Sequence, residues 1–121
     1  MWCQIFQEDI LKPQPDKAVR YDCIVSNPPY ICFSEKAEMH KNVLEHEPHL
    51  ALFVPNEDPL LFYKAIADFA LTVLKKSGKL YFEVNASYGL KTKEMLEKKG
   101  FKNTLLINDL NDKNRILHGS I

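Results

Sequence analysis

Hydrophobic and polar positions change rhythm several times along these 121 residues, and each change predicts an element. Trp2 to Phe6 alternates weakly and runs into Gln7-Glu8-Asp9-Ile10, which predicts the end of a strand. Residues 12–20 carry two prolines and several charges, the composition of a surface loop. Cys23, Ile24 and Val25 then form a short apolar run, suited to a strand covered on both faces of a parallel sheet. Asn27-Pro28-Pro29 ends it abruptly. Two successive prolines fix φ and remove two backbone donors, so the carbonyls of Asn27 and Pro28 are not consumed by a continuing ladder.

Beyond Tyr30 the chain is polar and weakly periodic to Pro48, with Ser34 as a helix cap ahead of Ala37, Val43 and Leu44. A loop and helix of this length after the turn would form a lid over it. Residues 47–52 return to an extended, apolar course. Asp58-Pro59 predicts a helix start, with Asp58 as N-cap and proline in the first turn. Leu61, Ala65, Phe69, Thr72 and Leu74, flanked by Phe62, Ile66 and Val73, predict its apolar face, with the aromatics in the core and a stop at Gly78 after Lys75 and Lys76. Residues 79–84 predict a strand. Residues 92–99 predict a short charged helix stopped by Gly100, with Leu90, Met95 and Leu96 facing inward. Residues 101–108 and 115–121 predict two strands joined by a polar hairpin loop. Strand, strand, helix, strand, helix, strand, strand argues an α/β layer whose last pair is antiparallel.

Length limits the chain to one domain with a modest core. Lys plus Arg and Asp plus Glu both number 16, so the formal net charge is zero and no long-range attraction to nucleic acid is expected. The most basic segment, residues 91–102, mixes acids among its lysines at helical spacing, as a solvated face does. Cys3, Cys23 and Cys32 form no CxxC pair, and no long apolar span is present, which predicts a reduced cytoplasmic setting without a membrane. His40, His46 and His49 lack the acids or cysteines that would complete a metal site, so no metal is expected.

Candidate chemistry sits at two strand ends. An amide from Asn27, the carbonyls of Asn27 and Pro28, and the flat ring of Tyr30 suit a planar amide or amine substrate, since such sheets bind ligands at the carboxyl edge of their strands. Asp9 is either a turn acid or an acceptor for an exocyclic amine such as that of adenine. Glu47 is either a partner for the site or a surface charge.

Asn27-Pro28-Pro29-Tyr30 after Asp22-Cys23-Ile24-Val25-Ser26 resembles the signature of S-adenosylmethionine-dependent methyltransferases acting on planar nitrogens. That signature is shared with adenine-N6 DNA methyltransferases and with RNA methyltransferases. Glu47-Pro48 with Ala51-Leu52, and Asp109 followed by Asn114-Arg115, narrow the resemblance to the protein-(glutamine-N5) methyltransferases of peptide-chain release factors, from about Gln7 to the carboxyl end. The resemblance implies a partial Rossmann-like class I sheet, with S-adenosylmethionine as cofactor and a release factor as partner. It implies that the Asn27 side-chain oxygen and the Pro28 carbonyl accept the two hydrogens of the substrate glutamine amide, and that Tyr30, beside Pro29, packs on the amide plane. Asp9 and Ile10, with Asn27, fall where the family contacts the cofactor. The alternatives are an adenine-N6 or guanine RNA or DNA methyltransferase, and a non-catalytic binding module.

The family's cofactor turn is an acid followed by grouped glycines; here the four glycines, Gly78, Gly89, Gly100 and Gly119, are scattered. The expectation is therefore a carboxyl-terminal part of the catalytic domain, residues 1–121, without the first strands, the glycine-rich motif or an amino-terminal helical domain. Such a piece alone would bind cofactor weakly and turn over poorly. In the family's strand order, 3-2-1-4-5-7-6, the cut exposes one edge of the Tyr21 strand. Exposed edges pair, so self-association, or cover by the chain's own amino-terminal segment, is expected.

Overall fold

The computed structural model describes residues 3–16, 18–29, 31–32, 53–54 and 58–121, the two short internal pairs by backbone alone. Strand β1 spans Tyr21–Ser26, and β2 (Ile31–Cys32) pairs in parallel with β3 (Phe53–Val54). Helix α1 is Leu61–Val73, β4 Leu74–Glu83, α2 Gly89–Lys98, β5 Lys102–Asn108 and β6 Asn114–Ser120. The main sheet has order β1-β4-β6-β5, with β1 parallel to β4 and the remaining neighbours antiparallel. This is the expected α/β layer with its antiparallel last pair, and it matches the 4-5-7-6 half of the family's strand order.

One face of this sheet carries the core. Ile24, Leu80, Phe82, Leu117 and Gly119 share that face through the register pairs Ile24–Leu80, Phe82–Leu117 and Leu80–Gly119. Against it α1 lays Tyr63, Ile66, Ala67, Ala70 and Val73, a stripe at the helical repeat of i, i+3, i+4 and i+7. The Tyr63 ring stands edge-on to Phe82, with centroids 4.9 Å apart and planes at 86°. From α2, Thr92, Met95 and Leu96 complete the layer.

Several expectations are corrected. Residues 3–6 form no strand, and Ile5 is 95% exposed; no described strand lies beside them to complete a ladder. Nor does this segment pair with β1, so among the described residues nothing covers that edge. Among the described residues, the Cys23–Val25 run is covered on one face alone: Ile24 packs against the core, whereas Cys23 is exposed and Val25 is 78% exposed, because α1 and α2 lie on the same side. Helix α1 starts two residues late, with Leu60 at the cap; the Asp58 carbonyl instead accepts from Leu61 N in a turn, and its side chain pairs with Lys64 at 3.1 Å. The helix also ends early. Leu74 turns straight into β4, and a bulge between Leu74 and Lys79 accommodates Ser77 at φ 68° and Gly78, where a Cβ would stand 2.7 Å from the Lys75 carbonyl oxygen. Thus Gly78 serves a strand bulge, not a helix stop.

Of the apolar face predicted for α1, Ile66, Val73 and Leu74 are buried, while the rest lies on the flank. Small Ala67 and Ala70 let the helix approach the sheet, which leaves Leu61, Ala65 and Phe69 half-buried and Thr72 exposed. Helix α2 starts at Gly89, and Leu90, six residues before Leu96, falls roughly 120° round the helix from it and is exposed. Gly100 does end this helix: at φ 101° it donates to Glu97 O, and Phe101 N donates to Leu96 O.

Candidate active site

The Asn27-Pro28-Pro29 turn leaves β1 at the carboxyl edge of the sheet, as expected. Pro28 is buried, Pro29 half-buried and Asn27 exposed. A cleft of about 730 Å³ opens beside the turn. Its walls are Asp9 and Ile10 from the amino-terminal loop, Ile24 to Ser26 from β1, Pro28 and Pro29, and Phe62, Ile66 and Phe69 from α1. Four of the six sequence-derived site residues, Asp9, Ile10, Pro28 and Pro29, therefore border one cavity. Asn27, between the wall residues Ser26 and Pro28, is not itself part of the lining, and Tyr30 lies outside the described residues. So do the lid helix, Glu47-Pro48, Ala51-Leu52 and the three histidines of residues 40–49.

Asp9 sits in a turn, not at a strand end. Its Oδ1 accepts from Leu11 N at 2.9 Å and its carbonyl from Lys12 N at 3.0 Å. This turn carries Ile10 inward, where it packs on the core. Phe62 and Phe69, taken from the sequence as core, face the cleft instead. They were missed as wall residues because a helix with an apolar face this broad does not reveal which edge of it meets the sheet. The cleft is largely apolar, with Ile10, Ile24 and the two phenylalanines on its walls and the acids Glu8 and Asp9 at its rim, the character of a pocket for a small organic ligand. Among the described residues no group of three metal-ligating side chains occurs, and no helix is long and apolar enough to cross a membrane.

A second constellation stands one strand away. Glu83, the last residue of β4, follows Phe82, the register partner of Ser26. Its carbonyl accepts from the Tyr63 hydroxyl at 2.9 Å, and its carboxylate lies 3.6 Å from the Arg115 guanidinium. Arg115 also reaches Asp109 Oδ2 at 3.2 Å. Asp109 Oδ1 accepts from the backbone of Asn111 at 2.8 Å and of Lys113 at 3.1 Å. The Lys113 bond above all, then that from Asn111 and the Arg115 guanidinium, hold the Asp109 carboxyl below its ordinary range against the opposing effect of desolvation. Beside it, Asn114 fills the space over Gly89, where a Cβ would come within 2.7 Å of the Asn114 amide nitrogen.

No family model matches the chain. It is 50% identical over 111 residues to the release factor glutamine methyltransferase of Flavobacterium psychrophilum, covering 92% of this chain and 39% of that protein. It is 46% identical to that of Bacteroides thetaiotaomicron, covering 92% of this chain and 40% of that protein. In fold it resembles the protein-(glutamine-N5) methyltransferase (release factor-specific) of Alicyclobacillus acidocaldarius, with a TM-score of 0.52 and 21% identity, over 84% of this chain and 48% of that one. The chain spans about two fifths of the length of the curated relatives it matches. Over nine tenths of its own length the chain is similar in sequence to the corresponding two fifths of these release factor glutamine methyltransferases.

Proposed function

We propose that this chain forms the substrate side of a site for S-adenosylmethionine-dependent N5-methylation of the glutamine in the Gly-Gly-Gln motif of peptide-chain release factors. The observation that carries the proposal is the placement of Asn27-Pro28-Pro29 at the carboxyl end of β1, beside a cleft that Asp9 and Ile10 also line. An amide nitrogen is a poor nucleophile because its lone pair is delocalised into its carbonyl. Two acceptors in the amide plane, the Asn27 side-chain oxygen and the Pro28 carbonyl, would hold both hydrogens and favour positive charge on nitrogen. The face of the amide would then be presented to a methyl donor, with Tyr30 packed on the opposite side. This is catalysis by orientation and electrostatics, without a covalent enzyme intermediate.

The cofactor supplies the electrophilic methyl group when bound. Asp9, Ile10 and the aromatic wall of α1 would hold its adenosine portion. The 121-residue chain by itself has no grouped glycines to bring backbone close to a cofactor, so its own affinity is weak. Titration calorimetry with S-adenosylmethionine checks this; micromolar binding by the chain alone contradicts it. A zero net charge favours a protein over a nucleic-acid substrate, in keeping with a cytoplasmic enzyme of translation termination. The test is mass spectrometry of release factor and of RNA, each incubated with the longest polypeptide carrying this sequence and with S-adenosylmethionine. A methyl group on the glutamine side chain of the release factor is expected. A methyl group on a base, with none on the release factor, contradicts the proposal.

A further inference from the structure

Asp109 and Arg115 mark the family resemblance in the sequence, yet neither belongs to the turn or the cleft. The fold brings them to the carboxyl end of β4, on Glu83. From this geometry we infer that Glu83 contacts the backbone of the protein substrate beside the reactive glutamine, and that Arg115 and Asp109 are positioning residues which hold the Glu83 carboxylate for that contact. The inference rests on the release-factor reading of the same site.

Three observations carry it. The first is placement: Ser26 and Phe82 are register partners on parallel strands, so Asn27 and Glu83 are the next residues along two adjacent strands, leaving the sheet at the same edge. Neighbouring strands lie about 4.8 Å apart, so a peptide whose glutamine amide is held by Asn27 has its adjoining peptide groups within reach of Glu83. A carboxylate accepts only, and backbone N–H groups of a glycine-flanked glutamine are the donors such a peptide offers.

The second is fixation. The Glu83 backbone is tied from the helix side by the Tyr63 hydroxyl, and Val84 N donates to Arg115 O at 2.8 Å. Its side chain is aimed by Arg115, and Arg115 is in turn held by a carboxylate that its own hairpin loop has anchored through two backbone N–H groups. Rigidity therefore passes from the loop to Asp109, to Arg115, to Glu83.

The third is magnitude. The Arg115 and Glu83 side chains are 43% and 33% exposed and their closest approach is 3.6 Å. An ion pair this open contributes little to stability, so holding the fold together is not a sufficient account of a carboxylate, guanidinium and carboxylate arranged in series.

Steady-state kinetics on the longest polypeptide carrying this sequence, with a release factor as the varied substrate, tests the inference. Glu83→Gln and Arg115→Met are each expected to raise KM for the release factor about ten-fold while kcat changes less than about two-fold, as for loss of a contact made equally in ground and transition states. The double variant is expected to be no worse than Glu83→Gln alone, because Arg115 acts through Glu83. Arg115→Lys, which keeps the charge but loses the fork, is expected to recover part of the loss. Thermal melts accompany each variant, and Glu83→Gln, being isosteric, keeps the test open if an Arg115 variant fails to fold. An unchanged KM in folded Glu83→Gln, or effects that multiply in the double variant, overturns the inference while leaving the release-factor reading intact. An unsubstituted protein that neither methylates nor, by calorimetry, binds a release factor removes that reading and this inference together.

Discussion

The Tyr63 hydroxyl donates a 2.9 Å hydrogen bond to the carbonyl of Glu83, joining the buried stripe of α1 to the carboxyl end of β4 one strand away from Asn27. The same ring stacks edge-on against Phe82, so one side chain both fills the core and fixes the strand end beside the proposed site. Tyr63→Phe keeps the ring and removes the bond. A loss of about 1 kcal/mol is expected, the ordinary net value for such a bond. That corresponds to a fall of about 4 °C in Tm, checked by calorimetric melting. An unchanged Tm means the hydroxyl does not fix the strand end.

Asp109 gives the fold a pH dependence of definite sign. Its folded-state pKa lies below the unfolded value of 3.8, chiefly through the Lys113 backbone N–H. A depressed carboxyl contributes stability that is fully present above the unfolded value and is lost as pH falls through the folded one. The Tm gap between the unsubstituted chain and Asp109→Asn is therefore expected to be constant from neutral pH down to about 5 and to shrink below about pH 4. Melts across that range check it. A gap that widens on acidification contradicts the assignment.

Among the described residues, strand β1 lies at the edge of the sheet, with Tyr21, Cys23 and Val25 exposed on the face opposite α1 and α2. A parallel pair bare on one face and open at its edge is a template for another strand. We propose that the 121-residue chain self-associates through it. Sedimentation at about 100 µM is expected to show concentration-dependent oligomers, and Val25→Lys, which places a charge on the bare strand, to shift them towards monomer. A monomeric unsubstituted chain with β1 amides exchanging freely contradicts the proposal.

The order of elements and the antiparallel last pair were legible in the sequence because local signals agreed there: Gly100 at a helix end, Asp109 to Lys113 in a hairpin, and short alternating runs on either side. Asn27-Pro28-Pro29 was legible for the same reason, since two prolines leave the chain few alternatives. What failed was decided by neighbours. Whether Cys23 to Val25 is buried depends on what lies over the second face of the sheet, and whether residues 3–6 form a strand depends on a partner strand. Neither is written in those residues. Ala67 and Ala70, which look neutral in a hydrophobic pattern, set how α1 docks and so turned Phe62 and Phe69 from the core to the cleft. The role inferred for Glu83 was equally hidden, because Arg115 lies 32 residues further along the chain and only the antiparallel pairing of β4 with β6 brings the two together.

The central claim, that Asn27 holds the amide to be methylated, is tested most directly by transfer of labelled methyl from S-adenosylmethionine to a release factor, comparing Asn27→Ala with the unsubstituted sequence in the longest polypeptide that carries it. Loss of a preorganised polar group at the reacting centre is expected to lower kcat by about 10²- to 10³-fold, with an unchanged melting temperature because Asn27 is exposed. Transfer at the unsubstituted rate contradicts the account.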